Sequence, residues 1–296
     1  MLSDRAIDRL CEAAAWPELD ARYAITGVAG HGGMGTVYVA RDQVLDRDVA
    51  VKVLDLADQK GVRAARLQKE AGILARLDHP GIVPIHDAGT LPDGRTFYVM
   101  KLVQGRRLDA LLAAHPSLSD RLNTFARVLD AVAFAHAQGV VHRDLKPENV
   151  MVGSFGEVYV MDWGVAQDRQ ADGEPAVVGT PGFMPPEQEH PGDRVDARAD
   201  IFALGAMLAH IAGPAAPSAL NAIAEKARRP DVADRYQDVT SLAADLARFR
   251  NQESVEAYRE SVSERAVRLY RRYELPILLL VAYVVMRFAL LVFRGI

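Results

Sequence analysis

The chain has 296 residues, 50% of them hydrophobic and 25% charged, which is the balance of a globular protein able to bury a substantial core in one large domain with appendages or in two small ones. A formal net charge of -4 argues against a dedicated nucleic-acid binder. The single cysteine, Cys11, excludes an internal disulfide framework and any cysteine-rich metal site, and it fits a reducing compartment.

Residues 3–15 have a mixed polar and apolar helical spacing that stops before Trp16-Pro17, which predicts a short helix in an N-terminal extension over 1–21. Glu12 interrupts its apolar part, so no secretory leader is expected there. From Tyr23 the period becomes strand-like, breaks at Gly30-His31-Gly32-Gly33-Met34-Gly35 and resumes over 36–40. A dinucleotide fingerprint would have its glycines open a helix, whereas glycines between two antiparallel strands form a flap able to fold over a nucleotide. Residues 49–53, Val-Ala-Val-Lys-Val, read as a further strand, and 63–77 as an amphipathic helix containing Glu70. Strands are predicted over 82–85 and 96–100, around the turn Pro92-Asp93-Gly94.

After Gly105 the spacing is helical, most clearly over 120–138, where Gly139 supplies a stop. The octet His142-Arg143-Asp144-Leu145-Lys146-Pro147-Glu148-Asn149 follows, and a strand over 157–161 then delivers Asp162-Trp163-Gly164. An Asp and an Asn five positions apart with a Lys between them suit phosphoryl transfer: the Asp orients a hydroxyl, the Lys neutralises moving phosphate and the Asn holds Mg²⁺. Residues 167–178 are polar and aperiodic, a loop; helices are predicted over 199–211, 238–250 and 253–273.

Residues 275–293 are apolar except for Arg287, close to the length of a bilayer-spanning helix. A central Arg costs about 2.5–3.5 kcal/mol on insertion, less where it snorkels to an interface. Arg265, Arg268, Arg271 and Arg272 precede this stretch and only Arg294 follows it, so the expectation is a single-pass anchor in the cytoplasmic membrane with the bulk of the chain in the cytoplasm. Val255, Val262 and Leu269, at seven-residue spacing, read either as a homodimerising face or as part of a solvated linker.

Gly30-X-Gly32-X-X-Gly35-X-Val37, Val49-Ala50-Val51-Lys52, Glu70, the octet, Asp162-Trp163-Gly164 and Gly179 to Glu187 stand in the order of the eukaryotic-like (Hanks-type) serine/threonine protein kinases of bacteria, which the chain resembles over roughly 23–250. The resemblance implies an α+β, bilobal protein-kinase fold with a β-rich N-lobe over about 22–103 and a mainly helical C-lobe over about 104–250. A juxtamembrane helix over 251–274 and the transmembrane helix over 275–293 would follow. It implies ATP as phosphoryl donor, Mg²⁺ (or Mn²⁺) as metal, and Ser/Thr hydroxyls of proteins as acceptors, Lys146 being the mark of that acceptor class.

Carried over residue by residue, the resemblance places Gly30, Gly32, Gly33 and Gly35 over the phosphates. Lys52 would touch the α/β-phosphates and pair with Glu70, Asp144 would orient the substrate hydroxyl, Lys146 would stabilise the transferring group, and Asn149 and Asp162 would hold metal. Val37 and Ala50 would roof the adenine pocket, with Met151 as floor and Met100 at the back; the backbone of Lys101 and Val103 would bond the base. His142, Trp163 and Leu74 would form an apolar column, Asp200 would tie the octet to its helix, and Glu187 would pair with Arg235.

Three features depart from the family. Trp163 replaces the usual Phe; Thr180 is the sole hydroxyl between Asp162 and Glu187, leaving no phosphorylatable residue upstream to meet Arg143; and only 35 positions separate Asp200 from Arg235. The last keeps a second reading open, a pseudokinase scaffold that binds nucleotide and partners without transfer.

Overall fold

A computed structural model of the chain describes residues 16–32, 35–54, 72, 77–114, 116–163, 180–189 and 195–294. The predicted helix over 3–15, that over 63–77 apart from Gly72 and Leu77, Glu70 and Leu74 within it, Gly33, and the predicted loop over 167–178 lie outside the described residues.

The N-terminal lobe is an antiparallel sheet of β1 (Tyr23–Gly32), β2 (Gly35–Asp42), β3 (Arg47–Leu54), β4 (Ile85–Thr90) and β5 (Thr96–Lys101) in the order β1-β2-β3-β5-β4. Strand β3 is central and buried from Val49 to Leu54, which is why its sequence is a nearly unbroken apolar run. Alternation along it sends Val49, Val51 and Val53 into one core with Tyr23, Tyr38, Phe97 and Val99, and places Ala50 in a second cluster on the opposite face with Met100 and Tyr98. Lys52 shares the Ala50 face, and the register sets it opposite Val37 on β2 and Tyr98 on β5.

The C-terminal lobe is built on α1 (Leu108–Leu112), α2 (Leu118–Ala137), α3 (Pro186–Glu189), α4 (Arg198–Ala212), α5 (Ser218–Ala227) and α6 (Val239–Arg250). A small sheet of β6 (Gly105–Arg107), β7 (Val150–Gly153) and β8 (Val158–Val160) lies beside them. Helix α2 starts at Ser117, whose side chain accepts from the Asp120 N–H, and buries Leu122, Phe125, Val128, Leu129 and Val132. It stops where Gly139 turns left-handed (φ 75°): the Gly139 N–H donates to His136 O and the Val140 N–H to Ala135 O, both at 2.9 Å. Between α4 and α5 only Gly213 to Pro217 intervene, and the two helices pack so closely that a Cβ on Gly205 would lie 2.6 Å from that of Ala227.

Two elements differ from expectation. The strand expected at 82–85 is found at β4, because Ile82 instead bridges to Val160 and the Pro84 carbonyl is taken by the Lys101 N–H. The helix expected over 253–273 begins only at α7 (Val262–Arg272), where Ser261 and Glu264 form a reciprocal capping box. Upstream, the carboxylate of Asp245 accepts the N–H groups of Glu256 (2.9 Å) and Ala257 (3.1 Å) and Val255 enters the core, so this segment is strapped to the lobe instead of coiling. Burial of Val255 also removes the seven-residue seam at 255, 262 and 269.

The chain continues as α8 (Glu274–Arg294). Among the described residues no single helix is long and apolar enough to cross a membrane; Val262–Tyr270 and Leu275–Leu290 are so only as a pair, bent by 75°.

Candidate active site

The octet leaves α2 through its glycine stop, passes through a 3₁₀ turn at Pro147–Asn149 and enters β7. Within it Arg143 has φ 68°, and at the end of the neighbouring strand Asp162 has φ 58°. Left-handed backbone costs a residue with a Cβ of order 1–3 kcal/mol, so the surroundings must impose it. At Arg143 they do so through Asp200, a fully buried carboxylate in the first turn of α4 that accepts the N–H of His142 at 2.8 Å and that of Arg143 at 2.7 Å. His136 of α2 meets the same carboxylate at 2.7 Å, and the Gln188 amide donates to the Arg143 carbonyl at 3.0 Å.

His142 then orients Asp144, two residues on. Its Nε2 lies 2.8 Å from the Met161 carbonyl, which can only accept, so the proton sits on Nε2 and Nδ1 accepts the Asp144 N–H at 3.3 Å. Trp163 packs against the imidazole with ring centroids 4.9 Å apart, and its indole N–H donates to Val160 O at 2.9 Å. The larger ring is thus accommodated with its polar atom satisfied, which is the condition for burying Trp.

The Asp144 carboxylate is the centre of a polar cluster. Lys146 Nζ donates to its Oδ2 and to Thr180 Oγ1, both at 2.8 Å, and the Thr180 hydroxyl lies 3.3 Å from Oδ1. Asn149 Nδ2 donates to the Asp144 carbonyl at 2.8 Å and reaches its Oδ2 at 3.3 Å. Among the described residues the Asn149 amide oxygen takes no hydrogen bond, which suits it as a donor atom for a cation.

Across the cleft, Lys52 reaches from β3 to Asp162 with Nζ–Oδ1 at 2.5 Å. Burial pulls the Lys52 ammonium down, but Tyr98 and Asp162 beside it outweigh that, so it is held above its usual range and stays charged at neutral pH. Ala50, Met100 and Tyr98 on the same face form one apolar cluster with Val83 and Tyr159, against which Val37, Val103 and Met151 pack. All four side chains expected around a purine, Val37, Ala50, Met100 and Met151, are therefore in one place. The Lys101 N–H is engaged by Pro84 O at 3.2 Å, so a base edge there has only the Lys101 carbonyl to use.

Of the four glycines expected above the phosphates, Gly30 and Gly32 end β1 and Gly35 opens β2, with Gly32 paired to Gly35. Gly35 has φ 148°, and a Cβ on it would lie 2.1 Å from Val53 O. No other residue fits that position. Below the cleft, Arg235 is fully buried and forks onto Glu187 at 2.6 and 2.8 Å, with the carbonyls of Arg229, Pro230 and Arg198 completing its donors.

The structure thus gathers Lys52, Asp144, Lys146, Asn149, Asp162 and Thr180 around one cleft. It also adds His136 and Gln188, which sequence reasoning did not single out: each is one unremarked polar residue on a helix, and no spacing links either to the octet.

The sequence profile of the protein kinase domain family matches residues 23–270. The chain is 35% identical over 280 residues to the serine/threonine-protein kinase PknB of Mycobacterium tuberculosis, covering 81% of this chain and 44% of that protein. It is 40% identical over 206 residues to the DNA damage-responsive serine/threonine-protein kinase RqkA of Deinococcus radiodurans, covering 66% of this chain and 30% of that one. The chain therefore spans less than half the length of these relatives. Among solved structures, the kinase domain of Mycobacterium tuberculosis PknI superposes with a TM-score of 0.62 at 26% identity, covering 79% of this chain and 98% of that domain.

Proposed function

Because this chain belongs to the protein kinase domain family, we propose that it is an active serine/threonine protein kinase that transfers the γ-phosphoryl group of ATP to Ser or Thr hydroxyls of proteins. The observation that carries the reading is the Asp144 cluster: a carboxylate held by Lys146 and Asn149 and touched by a threonine hydroxyl, Thr180, at 3.3 Å. Such a carboxylate accepts the proton of an acceptor hydroxyl as its oxygen bonds to the γ-phosphorus and the bond to the ADP oxygen breaks. Lys146 balances the charge of the transferring group, and Lys52 anchors the α/β-phosphates from β3.

Asn149 and Asp162 suit Mg²⁺, which takes oxygen donors, often one or two carboxylates, and completes its shell with water and substrate phosphates. Bound there, Mg²⁺ would neutralise charge on the β/γ-phosphates. The apolar cluster of Val37, Ala50, Met100 and Met151 takes the adenine, with the Lys101 carbonyl and the Val103 backbone at its edge. The family's Lys52–Glu70 pair belongs to the same proposal, Glu70 lying outside the described residues.

We read α8 as a single-pass anchor with the kinase domain in the cytoplasm. Its large side chains are exposed along their length, Leu275 at 72% and Phe288 at 68%, and the sequence stays apolar to Phe293, which in water is an unfavourable surface.

Incubating the full chain with labelled ATP, Mg²⁺ and a generic basic protein, beside Asp144→Asn, tests the activity. Incorporation on Ser and Thr by the parent and a loss of about 10²–10⁴ in the variant is expected. Nucleotide binding without incorporation by either protein would establish the scaffold reading instead.

A further inference from the structure

Helix α7 is amphipathic in the opposite sense to a helix on a water-exposed surface. At helical spacing, Val262, Ala266, Leu269 and Tyr273 form one stripe bordered by Tyr270, and Glu264 and Arg268 lie on the other side. On the polar side Arg268 is turned to the protein, while Glu264 is exposed and tied to the segment that precedes the helix. Tyr258 OH donates to Glu264 at 2.7 Å, Arg268 Nε lies 2.7 and 2.9 Å from the two oxygens of Glu260 in a mostly buried pair, and Arg268 Nη1 reaches Gln252 O at 3.3 Å. The apolar stripe is turned outward, with Val262 88% exposed and Tyr270 51% exposed. A surface helix stable in water buries its apolar stripe and exposes its charges, so this face has an occupant other than water.

The support under α7 is fixed. Asp245 is buried in α6 and holds the strap before α7 by the N–H groups of Glu256 and Ala257, with Tyr236 OH (2.7 Å) and Arg248 (2.8 Å) completing its bonds. Val255 is locked in the core beside it. Rolling α7 over would break the Glu260–Arg268 pair and the Tyr258–Glu264 bond together.

Helix α8 leaves α7 at 75°. With α8 along a bilayer normal, α7 lies about 15° from the membrane plane (90° less the 75° bend). Two tyrosines, Tyr270 and Tyr273, fall at the junction, where aromatic rings with a polar tip settle at the headgroup level. Exposed Arg265, with Arg271 and Arg272 next in sequence, supplies positive charge for anionic headgroups. A second copy of the chain is the poorer occupant, because with Val255 buried the seven-residue spacing runs only from Val262 to Tyr273, far short of the roughly three to four heptads that mark a coiled coil.

We propose that α7 is an in-plane membrane-surface helix whose Val262, Ala266, Leu269 and Tyr273 stripe sits at the headgroup–acyl boundary of an anionic leaflet, holding the catalytic domain at a fixed orientation to the bilayer. The inference rests on the reading of α8 as membrane-spanning, and its test separates the two. Nitroxide labels are placed one at a time in a Cys11→Ser background through Leu269→Cys, Arg271→Cys and Val284→Cys. The full chain is reconstituted in vesicles of phosphatidylglycerol and phosphatidylethanolamine, and accessibility to oxygen and to a water-soluble nickel reagent is measured.

The expected result is a label at 284 deep in lipid, a label at 269 several-fold more accessible to oxygen than to nickel, and the reverse ratio at 271. Lipid contact at 284 with nickel-accessible labels at both 269 and 271 overturns the inference and leaves the anchor standing. Spin–spin broadening at 269 without oxygen access overturns it in favour of a second copy. Nickel access at 284 overturns the anchor itself, and the inference with it.

Discussion

Asp200 is the residue on which the shape of the catalytic loop most directly depends. Its buried carboxylate accepts two consecutive backbone N–H groups, of His142 and Arg143, and also meets His136. In Asp200→Asn one carboxylate oxygen becomes an NH₂ group, so one of the two N–H donors loses its acceptor; a buried donor left unmade costs about 1–3 kcal/mol. At about 2 kcal/mol the melting temperature of a domain this size falls by about 4–8 °C. Asp200→Ala orphans both donors, for about 4 kcal/mol and about 8–16 °C.

The activity loss should exceed what lowered stability explains. Without Asp200 nothing compels Arg143 to hold φ 68°, and Asp144 is the next residue along the chain. Assayed well below the variant's melting temperature, kcat should fall at least about tenfold while KM for ATP changes little, since Lys52 and the adenine pocket belong to other segments. Thermal unfolding and steady-state kinetics of the two variants check this. An Asp200→Ala protein that melts within about 2 °C of the parent with unchanged kcat would refute the reasoning, because it would mean that the loop holds its geometry unaided.

Three further outcomes follow from the same structure. Glu187→Gln strips the charge partner from a fully buried Arg235 and should cost about 3–5 kcal/mol in chemical denaturation, whereas a loss within experimental error would show that the backbone carbonyls alone satisfy the guanidinium. Gly35→Ala drives a Cβ to 2.1 Å from Val53 O and should destabilise the N-lobe by more than about 1 kcal/mol and raise KM for ATP, while Gly30→Ala, whose Cβ meets nothing within 4 Å, should fold normally; equal melting of the two variants would contradict this. Hydrogen bonds from Arg22 hold the Asp42 carboxyl down from 3.8 to about 2, so its contribution to stability is complete above about pH 4 and is lost as pH falls toward 2. The gap in melting temperature between the parent and Asp42→Asn should therefore close over that window, and a gap that stays constant would remove Asp42 from the acid limb.

The local elements were legible because each is dictated by a short-range rule. The strand period of residues 49–53 carries the alternation that sets Lys52 and Ala50 on one face, and Gly139 marked the end of α2 because few other residues adopt its left-handed turn. The octet carried its chemistry in the order of its residue types. Trp163 was harder: sequence alone marks it as a departure, and only the Val160 carbonyl 2.9 Å from its indole nitrogen explains why the site accepts it.

By itself, then, the sequence determined the lobe composition, the strand faces and the candidate residues, since periodicity, turn chemistry and motif spacing act over a few residues. Tertiary structure alone decided what joins distant segments: His136 and Gln188 converging on the octet, the Pro84 carbonyl drawing Lys101 and moving a strand, and Asp245 capturing the N–H groups of 256 and 257. In the last case a helical period at 253–261 yielded to a buried carboxylate, because carboxylate oxygens short of donors in the core cost more than one turn of helix returns.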